Sequence, residues 1–327
     1  MANLKTTFAG LSLDNPIIIS SSGLTSTADK VKRLEDAGAA AVVLKSVFEE
    51  QINMHAGSLA SHYDDTYGES DYLTAYVRSH ALNEHISVIE QAKRSCQIPI
   101  IASINCYSDS EWEDFATLMQ QAGADAIELN ILTLQTSTSY QYGSFEQKHV
   151  DILRHIKKNL RIPIIMKLGT NLTNPISLIN QLYANGASAV VLFNRFYQPD
   201  FNIDDLTFTT SNVLSSPCEL ADRLRWTAIA SAEVKKIDYA VSGGAHSGKD
   251  IIKSILAGAS AVELCSAIYE KGNKYINVMK QEIAEWMDSK AYETIQQFKG
   301  KMNAAAEGGI NTFERTQFMR YFSSHEA

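Results

Sequence analysis

One motif recurs four times in this chain, and its second copy reads Ala122-Gly123-Ala124-Asp125-Ala126-Ile127-Glu128-Leu129. The other copies begin at Ala37, Asn185 and Ala257. The glycine of each copy suits the left-handed position that follows the end of a helix. The apolar run after the glycine predicts a buried strand, so each copy indicates a junction between a helix and the next strand.

Strands of a second kind alternate with these junctions. The runs Ile98 to Ser103 and Ile162 to Lys167 carry a proline at the strand entrance, where no ladder donor is lost. The run Asn15 to Ser20 is similar, and Asp238 to Ser242 supplies the remaining strand without a proline. Because these runs are almost continuously apolar, we expect burial on both faces and therefore a parallel sheet.

Helical spacing separates the strands. It covers Thr27 to Asp36, Trp112 to Gln121, Phe145 to Lys158, Pro175 to Ala184 and Lys249 to Leu256. About eight strands alternating with helices predict an α/β fold, a (β/α)8 TIM barrel that forms one domain over residues 1–327. The alternative architecture is a doubly wound open sheet.

Two stretches are longer than ordinary connecting loops. They are Phe48 to about Thr74, after the second strand, and Phe196 to Arg225, after the sixth. The second contains Asp200 to Ile203 and Leu206 to Thr209, which predict a hairpin. Both insertions follow carboxyl ends of strands, where barrel enzymes build their active sites. The tail from about Asn273 is predicted to be helical, with Trp286 and Phe298 as packing residues.

Composition argues against several classes of protein. A formal net charge of −8 without basic clusters argues against binding to nucleic acid or to an anionic membrane surface. Neither a signal peptide nor an apolar run of about 18 residues is evident. The four cysteines, at 96, 106, 218 and 265, form no Cys-x-x-Cys pair, which argues against zinc and iron–sulfur clusters. Their scatter favours a reducing cytoplasm.

Polar residues are expected at the carboxyl ends of the strands, where they face the barrel mouth. They are Ser20, Ser21, Ser22, Gly23, Lys45, Ser46, Ser103, Asn105, Asn130, Lys167, Asn194, Arg195, Ser242, Gly243, Gly244, Cys265 and Ser266. Glu128 and Glu263 fall inside apolar runs, so we expect no carboxylate pair at the mouth. No metal cluster is expected there. A donor-rich, cationic set suits an electron-rich, anionic ligand.

The mouth separates into two chemical halves. Ser242-Gly243-Gly244 after strand seven, with Cys265-Ser266 after strand eight, predicts a phosphate site, the alternative being a tight turn without a ligand. Lys45 and Lys167 end buried strands and therefore need a partner or a function. Beside a flavin an ammonium group stabilises negative charge on the reduced ring. The alternative is that each lysine reaches the rim and pairs with a loop carboxylate.

In this arrangement the chain resembles the dihydroorotate dehydrogenases, especially their soluble class 1 branch, and the related dihydropyrimidine dehydrogenase barrel. The resemblance runs from Thr7 to the C-terminal helices. The matching motifs are Asn15-Pro16, Ser21-Ser22-Gly23, Leu44-Lys45-Ser46, Glu128-Leu129-Asn130, Met166-Lys167-Leu168, Phe193-Asn194, Ser242-Gly243-Gly244 and Cys265-Ser266. The resemblance implies an FMN cofactor and a small-molecule substrate.

The resemblance also implies a role for individual residues. FMN would be bound by Ser21, Ser22, Gly23, Lys45, Ser46, Asn105, Asn130, Lys167, Ser242, Gly243, Gly244, Cys265 and Ser266. Substrate would be bound by Lys45, Asn130, Gln135, Asn194 and Arg195. Arg195 has the alternative of pairing with Asp200. Lys45 would take part in catalysis, and electrons would leave to a soluble acceptor or a partner subunit, with a homodimer as the expected assembly.

The catalytic loop departs from the family pattern. The class 1 loop reads Asn-x-Ser-Cys-Pro-Asn, whereas this chain has Asn130-Ile131-Leu132-Thr133-Leu134-Gln135. Thr133 occupies the position of the base, although its hydroxyl group would need help from water or from a second base. A hydroxyl group within residues 136–140 is the alternative. The family's second substrate segment is also missing between Tyr67 and Asn83.

Four further side chains have open interpretations. His55 and His62 would line the substrate pocket or lie exposed, and His246 would contact phosphate or lie on the surface. Cys106 would be reactive or packed in the core. The leading hypothesis is an FMN oxidoreductase for dihydroorotate or a similar dihydropyrimidine. The rivals are a flavin oxidoreductase for another small molecule and a non-catalytic flavin or phosphate-ligand barrel.

Overall fold

The structure is a computed structural model that describes residues 2–48, 69–105, 112–306, 308–314, 316 and 319, with backbone alone over 69–81. Its strands are β1 (Thr6–Phe8), β2 (Leu11–Leu13), β3 (Ile17–Ile19), β4 (Ala41–Val43), β5 (Val47–Phe48), β6 (Ile100–Asn105), β7 (Ala126–Asn130), β8 (Ile164–Leu168), β9 (Ala189–Leu192), β10 (Pro199–Asn202), β11 (Thr207–Thr210), β12 (Asp238–Ser242) and β13 (Ala261–Leu264). The helices are α1 (Ala28–Asp36), α2 (Glu69–Ser95), α3 (Trp112–Gln121), α4 (Ser144–Lys157), α5 (Pro175–Ala184), α6 (Leu220–Glu233), α7 (Gly248–Ala257), α8 (Ser266–Lys271) and α9 (Tyr275–Ser289).

Eight parallel strands close into a ring. They pair in the order β3, β4, β6, β7, β8, β9, β12 and β13, and β13 pairs again with β3. The helices alternate with these strands along the chain. The (β/α)8 barrel is therefore confirmed, and the open sheet is wrong because a sheet that pairs first strand with last has no edge.

The glycines of the repeated motif explain the tight helix-to-strand junctions. Gly38, Gly123, Gly186 and Gly258 all have a positive φ, between 93° and 118°. In each copy the chain turns out of a helix and enters a strand within a few residues. The structure thus confirms the left-handed turn that was predicted from the motif.

The barrel interior is apolar at its amino-terminal end. Ile18, Val43, Ile101, Ile165 and Val191 belong to one buried cluster, which the β1–β2 hairpin joins through its own apolar side chains. Side chains two residues further along a strand point to the same side. On three of these strands the next inward position is polar, namely Ser20, Ser103 and Lys167, and this change places the candidate site above the apolar layer.

One insertion differs from the sequence prediction and the other agrees with it. The first was predicted to be a loop as far as Thr74, but α2 begins at Glu69, so residues 69–74 are helical. The reason is that residues 69–95 contain neither glycine nor proline. The second insertion contains the predicted hairpin, with Phe201 opposite Phe208 in β10 and β11.

The tail also agrees with its prediction. Helix α9 packs Trp286 against Phe298, with ring centroids 5.0 Å apart. Among the described residues no helix has the length and apolar character that crossing a membrane requires.

Candidate active site

A cavity of about 420 Å³ lies at the carboxyl ends of the barrel strands. Its lining includes most of the predicted residues, namely Ser21, Ser46, Asn105, Asn130, Lys167, Asn194, Arg195, Ser242, Gly243, Gly244, Cys265 and Ser266. The lining does not include five other predicted residues, Ser22, Gly23, Lys45, Thr133 and Gln135. The barrel thus brings residues from all eight of its strand ends to one concave surface.

A buried ion-pair cluster forms the floor of this cavity. The Nζ of Lys167 lies 2.5 Å from Oε2 of Glu263 and 3.7 Å from Oε1 of Glu128. The same ammonium group donates to the Ser20 hydroxyl at 2.9 Å. Lys167 is the only buried lysine among the described residues. A cation buried to this degree is stable only with such partners.

The pKa values of the two carboxyl groups shift in opposite directions. Burial and the nearby Glu263 raise the pKa of Glu128 well above its usual range, more than Lys167 and Ser103 lower it. Burial opposes ionisation of Glu263 too, but Lys167, Glu128 and Ser20 together hold the pKa of Glu263 below its usual value. Burial also disfavours the charged form of Lys167, but the two carboxyl groups raise the pKa of its ammonium group. The cluster therefore favours a proton on Glu128 and the charged forms of Lys167 and Glu263.

A row of serine hydroxyls connects the cluster to the side of the mouth near β4. Ser21 Oγ lies 2.9 Å from Ser46 Oγ, which lies 2.8 Å from Ser103 Oγ. Ser103 in turn donates to Oε1 of Glu128 at 3.4 Å. Because β6 pairs Ser103 with Glu128 on β7, the register of the sheet itself fixes the last of these contacts.

Two side-chain amides meet above the cluster. The Nδ2 of Asn194 donates to Oδ1 of Asn130 at 2.8 Å, and Oδ1 of Asn194 accepts from the backbone amide of Arg195 at 2.7 Å. This fixes the orientation of both amides at the mouth. A pair of oriented amides suits a ligand that carries both carbonyl and N–H groups.

The guanidinium group of Arg195 is directed to the second insertion. It donates to Oε2 of Glu219 at 3.1 Å and to the carbonyl oxygens of Asn212 and Val213 at 2.8 Å each. Glu219 therefore takes the place of Asp200 as its ion-pair partner. Arg195 anchors the insertion at the cavity rim, and its predicted role in substrate binding stays a prediction.

The turn after β12 lines the same cavity. Gly243 and Gly244 have φ values of 91° and 81°. A Cβ atom at Gly244 would lie 2.4 Å from the backbone nitrogen of Leu220 at the start of α6, so only glycine permits this approach. The Ser215 hydroxyl accepts from the Gly244 amide at 3.3 Å and donates to Ser266 Oγ at 3.0 Å.

His246 and Asp250 support this turn from behind. His246 is buried, with Nε2 3.3 Å from Ser215 Oγ and Nδ1 3.3 Å from Oε2 of Glu270, so its predicted surface alternative is wrong. Asp250 accepts from the backbone amide of His246 at 3.1 Å and from Ser247 Oγ at 2.8 Å. Burial opposes ionisation of Asp250, but these donors and Lys253 lower its pKa.

Arg223 is a second cation at this turn that the sequence reasoning missed. It is buried, and its Nε has no partner among the described residues. A Cβ atom at Gly243 would approach that Nε to 3.3 Å, so the guanidinium group lies directly behind the turn. Its other nitrogens lie 3.2 Å and 3.5 Å from the carbonyl and carboxylate oxygens of Glu219. Arg223 lies within α6, and nothing in the local sequence of that helix distinguishes it from an arginine on the protein surface.

Five predicted residues lie beside the cavity rather than on its surface. Lys45 is exposed and lines a neighbouring cavity with Glu84 and His85. Thr133 is half-buried, with its carbonyl oxygen accepting from Nδ2 of Asn171 at 2.9 Å. Gln135 is exposed, Ser22 caps the short helix Gly23–Thr25, and Gly23 begins that helix. His55, His62 and Cys106 lie outside the described residues.

Glu128 and Glu263 are the main features of the cavity that the sequence prediction misplaced. They were assigned to the interior of apolar runs, but both line the cavity. The signal was present, because Glu128 lies two residues before Asn130 and so shares its side of the strand. Both glutamates contact the ammonium group of Lys167. Among the described residues no group of three or more side chains is placed to hold a metal ion.

These features define a class of protein: a (β/α)8 barrel with a glycine-rich turn and a charged, donor-lined cavity at the carboxyl ends of its strands. Residues 3–196 match the family model for dihydroorotate dehydrogenase. The chain belongs to the dihydroorotate dehydrogenase family, as its sequence motifs predicted.

Individual relatives cover most of the chain. The catalytic subunit of dihydroorotate dehydrogenase B (NAD(+)) from Thermoplasma volcanium is 30% identical over 304 residues, 92% of this chain and 98% of the relative. The same subunit from Methanocella arvoryzae is 30% identical over 86% of this chain and 92% of the relative. The NAD-dependent dihydropyrimidine dehydrogenase subunit PreA of Escherichia coli is 22% identical over 92% of this chain and 77% of the relative.

Proposed function

We propose that this chain is an FMN-dependent oxidoreductase that oxidises a CH–CH group of dihydroorotate or a similar dihydropyrimidine. One observation carries the proposal: a buried lysine and a phosphate-type turn line a single cavity in a member of this family. The cavity volume of about 420 Å³ falls within the usual range for cofactor sites, roughly 300–1,000 Å³.

The residues present fit both ends of an FMN molecule. The turn at Gly243 and Gly244, with Ser215 and Ser266, would hold the phosphate group. The orphaned Nε of Arg223 behind Gly243 supports a negative charge at that end, because a buried guanidinium nitrogen without an acceptor is costly. Lys167 would lie at the ring end, where it offers a positive charge within a cavity of low dielectric constant.

The chain contributes binding and electrostatics to the reaction. When bound, FMN would accept an electron pair from the substrate. The amides of Asn130 and Asn194, held to each other at 2.8 Å, would orient the carbonyl and N–H groups of a dihydropyrimidine. The apolar lining at Leu132 and Phe193 would exclude water from the reacting carbon atoms.

Removal of the substrate proton needs a base, and we propose Thr133 from its position in the loop after β7. Leu132, its neighbour, lines the cavity, which supports placing this loop against the substrate. Lys45 would assist from the neighbouring cavity, which shares Ser46 and Phe48 with this one. Both assignments come from the resemblance.

We also propose a protein partner for this chain. Relatives are named as catalytic subunits or as a subunit, which supports a partner subunit or a soluble acceptor for the electrons. A homodimer is our proposal for the assembly of the chain itself, and light scattering of the purified protein tests it. We propose a cytoplasmic location from the isolated cysteines, and cell fractionation tests that.

The experiment that tests the reaction is anaerobic bleaching of the bound flavin by a panel of substrates. We expect dihydroorotate or another dihydropyrimidine to remove the flavin absorbance, and the matching pyrimidine product to form in equal amount. If only molecules outside this class bleach the flavin, the substrate assignment is wrong. If no substrate does so while dithionite does, the chain is a non-catalytic flavoprotein.

A second candidate is a flavin oxidoreductase for a different small molecule. The observation that favours it is the loop sequence Leu132-Thr133-Leu134-Gln135, which lacks the cysteine of class 1 relatives. The same substrate panel separates the two candidates, because each predicts a different molecule as the reductant.

A further inference from the structure

The lysine at the ring end of the cavity does not present a free positive charge. Its Nζ is 2.5 Å from Oε2 of Glu263 and 3.7 Å from Oε1 of Glu128, so the two carboxyl groups are not equivalent partners. Glu263 also receives a hydrogen bond from Ser20 at 3.0 Å. The shorter contact and the second donor both favour the ionised form of Glu263.

Glu128 is placed to carry the proton. Its Oε1 receives a long hydrogen bond of 3.4 Å from Ser103 beside the 3.7 Å contact with Lys167, and its Oε2 is a buried oxygen without a donor among the described residues. Oε1 of Glu263 is likewise a buried oxygen without a described donor. A proton on Glu128 allows its carboxyl group to bond to Glu263, and this satisfies both oxygens at once. Two adjacent ionised carboxylates in such a site would repel each other strongly.

We propose that Glu263 is a positioning residue that neutralises Lys167 and so weakens the stabilisation of negative charge on a bound flavin, whereas Glu128 is uncharged and has little effect. The inference rests on the proposed binding of FMN. Two-electron reduction of FMN with uptake of one proton leaves a negative charge on the ring system. A neutral Lys167–Glu263 pair attracts that charge less than an isolated ammonium group would.

The test compares Glu263→Gln with Glu128→Gln in the FMN-loaded protein. Both substitutions keep the shape of the side chain, and Glu263→Gln removes the carboxylate that lies closest to the ammonium group of Lys167. We expect Glu263→Gln to raise the affinity for reduced FMN, relative to that for oxidised FMN, at least tenfold over the parent protein. This corresponds to a rise of at least about 30 mV in the two-electron midpoint potential. Glu128→Gln is expected to shift the potential by less than a third of that. Dithionite supplies the electrons, and reference dyes report the potential.

Sulfite provides an independent probe of the same charge. It adds to oxidised flavin at N5, and its electron pair leaves a negative charge on the ring. Glu263→Gln should therefore lower the dissociation constant for sulfite about tenfold, and Glu128→Gln should leave it nearly unchanged. A purely structural role for Glu263 would disturb folding but would not tighten sulfite binding.

The surface variant Glu285→Gln, the same substitution on an exposed turn of α9, is the control for both measurements. If Glu263→Gln binds FMN with unchanged potential and sulfite affinity, or if Glu128→Gln causes the larger shift, the inference is overturned. If the parent protein itself takes up no FMN, the proposed function fails instead, so the two failures are distinguishable. Thermal unfolding of each variant shows whether it is folded.

Discussion

Replacing Lys167 by methionine tests the buried cluster most severely. The change removes the cation and leaves ionised Glu263 in a site where neither residue is more than 5% exposed at its side chain. Breaking a buried ion pair by removing one partner costs about 3–5 kcal/mol of unfolding free energy. For a large domain, each kcal/mol of lost stability lowers the melting temperature by roughly 2 °C. The melting temperature of the apoprotein should therefore fall by about 6–10 °C.

The loss depends on pH in a direction that can be worked out. Without Lys167, burial would raise the pKa of Glu263 above its value in the unfolded chain, so the folded variant would bind more protons than the unfolded one. Its stability should therefore fall as pH rises through the raised pKa and recover as pH is lowered towards 5. Thermal and urea unfolding across pH 5–8 measure this.

A second substitution separates lost attraction from uncompensated charge. In the double variant that combines Lys167→Met with Glu263→Gln, no buried charge remains unpaired. We therefore expect most of the lost unfolding free energy to be recovered. Lys32→Met is the matched surface control, since Lys32 also contacts two carboxylates, Glu35 at 2.9 Å and Asp36 at 2.8 Å, but at 44% exposure. It should change the melting temperature little. If Lys167→Met melts like the parent at pH 8, the reasoning on burial is refuted.

Three further predictions concern the loop and the phosphate turn. In stopped-flow measurements, Thr133→Ala should slow flavin reduction by the substrate about hundredfold, which is the lower end of the range for loss of a general base. A rate within threefold of the parent would assign the base elsewhere. Gly244→Ala should weaken FMN binding at least tenfold in fluorescence titrations, because its Cβ atom would meet the Leu220 backbone at 2.4 Å. The control Gly10→Ala also has a positive φ, 79°, but its Cβ atom would meet no atom within 4 Å, so FMN binding should not change. Equal effects of the two substitutions would refute the steric argument. Asp250→Ala should lose stability at neutral pH in urea unfolding. A carboxyl group whose pKa is lowered in the folded protein stabilises it fully only above the pKa that the group has in the unfolded chain, so the deficit should shrink as pH falls below about 4. A deficit that is constant with pH would contradict this.

Local pattern predicted much of the fold. Helices α3 and α5 have the predicted bounds, because apolar spacing, a proline at the first turn of α5 and a glycine after each helix mark their ends. The length of α2 was missed because its start has no apolar stripe of helical period, and the His- and Tyr-rich composition before it was interpreted as loop.

The rim of the site and Lys167 on its floor were predicted, but the two carboxyl groups beside Lys167 were missed. Residues that end strands, such as Asn130 and Ser242, are visible in sequence as polar interruptions after apolar runs. The role of Glu263 is not visible in the sequence, because its partner Lys167 lies 96 positions away and only the closure of the barrel brings the two residues together. The partners of Arg195 depend in the same way on the path of the second insertion, which no local pattern specifies.

The most direct test of the account is titration of purified apoprotein with FMN, followed by flavin fluorescence and by the visible spectrum. We expect uptake of one FMN per chain, and Lys167→Met should weaken it together with the binding of the reduced form. A colourless protein that takes up no added FMN would contradict the assignment of this cavity to a flavin.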